Sequence, residues 1–483
     1  MNQNSMKRTA CHLAVVSSMA ASASVQAQIS PETQRAIDEL KQQVEQLRNE
    51  VKILKSTGST GPSAAPPAGS ATATSVPAAP IAAAGAGKDY VSLTEGPGGW
   101  RLIDTESTTL GLYGLIDLTV ATASSGGPNA NANAATGGVT DKRWTGLDVS
   151  WMNGNRWGLT GSHVLDKDSK TRLVMRLESE FELPTGNFDG GFTAPILFNR
   201  DAWIGIESPT IGKLTIGRQD TLGRDVNMIW ANPFSKAANS YDEGGWMNNQ
   251  VMYQLMEYSG SPTGNRWDSS VVWKKAWGHL FTYVGYQFAG LQNGSGTDTV
   301  DTGKGLKGTQ QALGVGYNSD DDMWHASASA THANYDHYGK KVYSIGGNFR
   351  PVKWLRMNGG VYHADIGQPA VLGDRKDNAW TVSAQIYPGG KLDYALAYHH
   401  INARNAGQSG GNTLQPFDLT NAITSAASGT WNTLYGAAFY RWDRQVDLYL
   451  AFDYSKTGGG YKSSYFQGHN KFNQLGIGAR YFF

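Results

Sequence analysis

Histidines, arginines and carboxylates are the side chains most able to do chemistry in this chain, and their spacing argues against catalysis. His325, His332, His337 and His363 fall in the middle of the sequence, with His399 and His400 later. None stands beside a convincing nucleophile, and no spacing matches a metal-ligand set. The sole cysteine is Cys11, which leaves no disulfide framework or thiol chemistry for the rest of the chain. No enzyme activity and no cofactor are expected. The charges follow another pattern. Successive side chains of a strand point to opposite faces, so Arg156 opposes Trp157, Arg176 opposes Met175 and Leu177, and Arg266 with Asp268 opposes Trp267 and Val271. Arg218 shares the parity of Leu214 and Ile216. Arg200 shares that of Ile204 and Ile206 and is set aside. Charges on one face and apolar groups on the other fit a barrel wall with a wet side.

The strands that carry such faces are clearest at the two ends of the alternating region. In Phe472 to Phe483, Leu475, Ile477, Ala479, Tyr481 and Phe483 share one side, and Gln474, Gly476, Gly478 and Arg480 the other. In Thr109 to Val120, Leu110, Leu112, Ile116 and Leu118 oppose Tyr113, Asp117 and Thr119. A two-faced terminal strand with a free edge invites aggregation, and pairing the last strand with the first removes that edge. In lipid a sheet has to close in this way, because no edge can be hydrated there. The composition agrees: 59 Gly, 22 Tyr, 15 Trp and 15 Phe, and no apolar run of about 18 residues that could span a bilayer as a helix. A formal charge of +1 gives no sign of a nucleic-acid partner.

Ahead of the barrel, residues 1–27 read as an export signal. Lys7 and Arg8 precede a short apolar stretch, and Val25-Gln26-Ala27 forms a small-residue cleavage site. Its removal takes away Cys11 and two positive charges. Residues 28–55 read as a helix starting at Ser30-Pro31. Ile37, Leu40, Val44, Leu47, Val51 and Leu54 make a heptad seam of about three repeats, placed in the periplasm. Residues 56–107 begin as an Ala, Pro, Gly, Ser and Thr tract and read as a linker. Residues 108–483 alternate with a period of two. Short turns such as Ser319 to Asp322, Pro388 to Gly390 and Asp443 to Gln445 exchange with long loops at Ser124–Thr140, Leu291–Gly308, Arg404–Ser428 and Lys456–Lys471. The expectation is an all-β, 16-stranded antiparallel transmembrane barrel, preceded by a short coiled-coil helix.

Several ordered motifs carry a family resemblance. Asn155-Arg156-Trp157-Gly158-Leu159-Thr160-Gly161, Leu177-Glu178-Ser179, Leu197 to Gly205 (LFNRDAWIG) and Leu214 to Gln219 (LTIGRQ) resemble the second to fifth strands of Gram-negative trimeric porins, nearest to the general porins of beta-proteobacteria. Asn265 to Val271 resembles the strand after the constriction loop of that family. The resemblance implies an outer-membrane homotrimer in contact with lipid, passing ions and small hydrophilic solutes by passive diffusion with a bias toward anions. It also implies an inward-folded loop after Gln219 carrying Asp225, Asp242 and Glu243. Those carboxylates would face Arg156, Arg218 and Arg266 across the constriction, with Arg176 as a further luminal candidate. Arg218 meets that role only if the chain turns inward at Gly217. A substrate-selective porin for sugars or organic acids is the alternative, as is a tether reaching peptidoglycan through the N-terminal segment.

Overall fold

The computed structural model describes residues 99–124, 143–149, 152, 154–188, 197–223, 266–288, 309–319, 323–334, 339–387, 390–409, 413–414, 423–443, 445–460 and 470–483. The chain divides into two units, Met1–Ala82 and Ala83–Phe483, and all described residues belong to the second. The export signal, the heptad helix and most of the linker lie outside the described residues.

The strands in chain order are β1 (Trp100–Asp104), β2 (Thr108–Ala123), β3 (Trp144–Val149), β4 (Asn155–Asp166), β5 (Thr171–Phe181), β6 (Ala202–Ser208) and β7 (Gly212–Asp220). After them come β8 (Arg266–Trp277), β9 (Leu280–Gln287), β10 (Gln310–Asn318), β11 (Trp324–Asn334), β12 (Gly339–Val352) and β13 (Leu355–Ile366). The last six are β14 (Arg375–Ile386), β15 (Leu392–Ser409), β16 (Thr413–Leu414), β17 (Ile423–Arg441), β18 (Val446–Gly459) and β19 (Lys471–Phe482). The pairing runs antiparallel around a closed ring. β19 pairs with β2 from Gln474↔Ala123 to Phe482↔Leu115, and β9 pairs with β10. β3 and β4 share one position beside β2, β1 continues the position of β19, and β16 is a small hairpin on β15. The ring therefore has 16 strand positions, as the alternation predicts.

Two boundaries differ from the sequence reading. Trp100–Asp104, inside the span read as linker, is a strand paired with β2 from Trp100↔Leu112 to Asp104↔Thr109. The loop read at Arg404–Ser428 is largely strand, since β15 runs to Ser409 and β17 starts at Ile423. Small and polar residues such as Gly407, Gln408 and Ser425 look like loop, yet the ladder supplies their backbone partners regardless of side chain.

Along the long strands of the ring one face is buried inside and the other is exposed, whereas β1 is exposed at all five positions. On β18, Leu448, Leu450, Phe452 and Tyr454 are exposed while Asp447, Tyr449, Ala451 and Asp453 are buried. A barrel in lipid covers that outer face with hydrocarbon, so its exposed apolar residues need no protein partner. Exposed Trp277, Trp324, Trp354, Trp442 and Tyr481 gather at the end where the connections are short, as in an interfacial aromatic belt. The inner face is mixed. Tyr362, Trp431, Tyr435, Phe439, Tyr449 and Phe472 form an aromatic sector on β13 and β17 to β19, and charged side chains concentrate on β4 to β8.

Candidate functional site

The charged sector is built around Glu178, in the second half of β5. The register sets Gly158 opposite Glu178, Arg156 opposite Glu180 and Thr160 opposite Arg176. These side chains share the inner face, because Leu159, Met175 and Leu177 take the other. Glu178 is 0% exposed and is reached from four directions. Arg176 and Arg200 donate to its two oxygens, the Tyr113 hydroxyl donates at 2.7 Å, and Arg156 Nη1 lies 3.9 Å away. Tyr113 belongs to β2 and crosses β4 to make this bond. A Cβ on Gly158 would stand 2.6 Å from the Tyr113 ring, so glycine there is what lets the ring pass.

Asp201 joins the next pair. Its carboxylate lies 3.2 Å from Arg176 Nε and 3.6 Å from Arg266 Nε, which is also 3.2 Å from Asp220. Arg200 binds Glu180 as well as Glu178. Arg218 donates through Nη1 to Asp268 and through Nε to the Asn199 carbonyl at 2.9 Å. The segment before β6 is held against β5 by backbone bonds from Glu178 N to Asp201 O (2.7 Å) and from Arg200 N to Glu178 O (3.2 Å). Five guanidinium groups, on Arg156, Arg176, Arg200, Arg218 and Arg266, thus interleave with five carboxylates, on Glu178, Glu180, Asp201, Asp220 and Asp268. Charge-assisted hydrogen bonds from Arg176, Arg200 and Arg218, and ion pairing at Arg156 and Arg266, offset part of the desolvation of these charges.

Arg156, Arg176, Arg218 and Arg266 therefore come together on one wall, and each has a carboxylate partner. Asp225, Asp242 and Glu243 lie outside the described residues. Arg200, set aside on parity, is 1% exposed and sits at the centre of the cluster. β6 begins only at Ala202, so the alternation of Ile204 and Ile206 does not extend back to it. Trp267 is a second correction. Ser269 has a φ of +46°, and the register between β7 and β8 shifts between Gly217 and Gln219. This bulge breaks the alternation. Trp267 consequently lies on the inner face, 0% exposed, with its indole N–H donating to Gln310 at 2.7 Å. Glu178 and Asp201 were present in the sequence motifs, but nothing in their spacing marked them as the centre of the network.

The histidines do not join this site. His325 bonds Asn318 and Ser327 and stacks on Phe281, and His399 lies beside Tyr362. Among the described residues no group of three His, Cys, Asp or Glu could hold a metal ion.

Comparison with known proteins adds the family. The profile described as Gram-negative porin matches residues 68–460. The chain belongs to the Gram-negative porin family. An outer membrane porin protein of Bordetella pertussis is 31% identical over 169 residues, which is 32% of this chain and 42% of that relative's length. Among solved structures, the anion-selective porin of Comamonas acidovorans aligns with a TM-score of 0.53 at 15% identity, covering 78% of this chain and 100% of that one. The outer membrane channel DcaP of Acinetobacter baumannii aligns with a TM-score of 0.51 at 12% identity, covering 80% of this chain and 100% of that one. At these identities the two structures speak to the fold alone. The charged sector of this porin spans β4 to β8 and the segment before β6, all of it inside the matched range.

Proposed function

We infer that the chain forms a water-filled channel in the outer membrane, through which ions and small hydrophilic solutes diffuse passively. The observation that carries this reading is a closed ring with an apolar outer face and a charged sector on its inner wall, in a member of the porin family. The arginines set the local field at the wall. Facing charge of opposite sign in a low-dielectric channel orients dipolar solutes and sorts ions by sign. Arg156, Arg176, Arg218 and Arg266 form the positive side of the constriction in this reading, with Asp225, Asp242 and Glu243 of the long connection as the negative side. The carboxylates interleaved with the arginines limit the bias toward anions to a modest one. Swelling of proteoliposomes in isotonic sugar solutions tests the channel. Rates that fall with solute size support it, and no swelling above protein-free vesicles refutes it.

Assembly belongs to the same reading. The barrel forms homotrimers, and the heptad helix at residues 28–55, in the periplasm after removal of residues 1–27, supports the trimer and reaches toward peptidoglycan. The family membership of the barrel supports the trimer. The seam supports only an auxiliary role, because about three heptads are marginal by themselves.

A further inference from the structure

Five cations end the apolar outer face on the side with long connections. Lys341 stands beyond exposed Tyr343 and Ile345 on β12, Lys376 beyond Trp380 and Val382 on β14, and Arg404 beyond Leu396 on β15. Lys456 stands beyond Phe452 and Tyr454 on β18, and Lys471 beyond Leu475 and Ile477 on β19. Each is exposed and shares the face of those apolar residues, because side chains alternate along a strand. Each also lies ten to twelve residues from the short-connection end of its strand, at Val352, Ile386, Leu392, Val446 and Phe482 respectively. With a rise of about 3.4 Å per residue and a tilt of about 35–45°, that is about 24–33 Å of height. The apolar band of such a barrel is about 25 Å tall. The five charges therefore sit where hydrocarbon gives way to lipid headgroups, in the leaflet on the long-connection side.

Four of the five meet in like-charge pairs. Lys376 stands directly opposite Arg404, and Lys456 directly opposite Lys471. Opposed residues on adjacent strands are about 4.5–5.5 Å apart at Cα, and like charges there destabilise the ladder. Two acids lie close. The register sets Asp365 between Lys341 and Lys376, with its Oδ2 3.5 Å from His363 Nε2, and Asp374 is exposed in the connection before β14. Among the described residues, no carboxylate forms an ion pair with any of the five cations. We propose that each like-charge pair, Lys376 with Arg404 and Lys456 with Lys471, clamps the phosphate of an anionic lipid headgroup on the outer surface of the barrel. A phosphate accepts charge-assisted hydrogen bonds from both cations at once, so its arrival relieves the repulsion between them. The acyl chains then lie along the apolar residues of the same face, Trp380, Val382 and Leu396 at one clamp and Phe452, Leu475 and Ile477 at the other. A lipid of no net charge meets that face and gains little from the pair. The location rests on the outer-membrane reading above.

The test is native mass spectrometry of the purified full-length protein in detergent, mixed with dioleoyl phosphatidic acid or with dioleoyl phosphatidylcholine. The two lipids share their chains and differ in whether choline offsets the phosphate charge. Adducts of phosphatidic acid should form at the lower lipid concentration. Lys376→Gln/Arg404→Gln should weaken retention at one clamp about tenfold or more, and Lys456→Gln/Lys471→Gln at the other, given the attraction of each cation to an anionic lipid surface. The two variants are independent, so one serves if the other yields no heat-modifiable barrel. Lys275→Gln/Lys391→Gln is the charge-matched control at the opposite rim, where these lysines lie over Trp277 and Tyr440, and it should leave that retention unchanged. Equal retention of the two lipids, retention unaltered in the clamp variants, or an equal loss in the control overturns the clamps. Displacement of phosphatidic acid by an equal concentration of inorganic phosphate also overturns them, since the pairs would then hold a free ion. Retention is read without conductance, so a conducting protein that fails to retain the lipid refutes the clamps alone. A protein that retains it and passes no current refutes the channel alone.

Discussion

The Tyr449 hydroxyl donates to Asp117 Oδ1 at 2.6 Å, across the seam where the last strands of the barrel meet the first. Tyr449 is on β18 and Asp117 on β2, so the ring spans β19 between them. It passes over Gly478, where a Cβ would stand 2.4 Å from the ring. Asp117 also accepts from the Met152 amide at 2.8 Å, and Thr119 bonds the same tyrosine hydroxyl. Tyr113 repeats the device on the other side of β2, lying over Gly158 to reach Glu178. In both places a tyrosine on one strand, a glycine on the next and a carboxylate on the third tie three neighbours together.

That tie predicts a stability effect at the seam. Tyr449→Phe keeps the ring over Gly478 and removes only the hydroxyl, leaving buried Asp117 one donor short. The loss should be about 1–3 kcal/mol. Gly478→Val should cost more, because the added side chain displaces the tyrosine. Urea unfolding followed by tryptophan fluorescence measures both. Identical midpoints for Tyr449→Phe and wild type would show that the seam does not depend on this bond.

The C-terminal residue predicts an assembly effect. Phe483 exchanges backbone hydrogen bonds with Gly114 at 2.7 and 3.0 Å, its ring lies over Gly114, and Trp100 of β1 stands 5.5 Å from it. Phe483→Asp places a charge on the lipid face at this junction and should lower the amount of heat-modifiable barrel in the outer membrane. Levels equal to wild type would contradict that expectation.

Much of this was legible in the sequence. Alternation over Leu448 to Tyr454 and over Leu475 to Phe483 gave the strands and their outer faces, because a lipid-facing strand has to carry apolar groups at every second position. It also set Arg156 and Arg176 on the inner wall. Parity failed where the backbone departs from a regular strand. The left-handed Ser269 turned Trp267 inward, and the segment before β6 delivered Arg200 to Glu178 outside any strand. The Glu178 network joins β2, β4, β5, the segment before β6, β7 and β8, and contacts between elements so far apart in sequence leave no local spacing to read.

Charge removal within the cluster predicts opposite shifts in selectivity. Glu178→Gln withdraws the carboxylate shared by Arg156, Arg176 and Arg200 and should move ion preference toward anions. Arg156→Ala/Arg266→Ala should move it toward cations. Both shifts should shrink between 0.1 M and 1 M salt, as the Debye length falls from about 10 Å to about 3 Å. Reversal potentials in a salt gradient give the sign. Unchanged potentials in the arginine variant at low salt would make these residues structural alone.

The N-terminal segment predicts a change in trimer dissociation. Deleting residues 28–87 should leave trimers that come apart at a lower temperature in semi-denaturing electrophoresis. Monomers at every temperature, or a stable dimer of the intact protein, would contradict a barrel-driven trimer supported by the helix.

Conductance across a planar lipid bilayer bears most directly on the channel itself. Purified wild-type protein should insert in discrete steps, remain open at low voltage, and conduct in near proportion to the concentration of potassium chloride. Stepwise insertion with conductance scaling in this way is the result predicted here. Folded, heat-modifiable protein that enters the bilayer and passes no current at any salt concentration would contradict it.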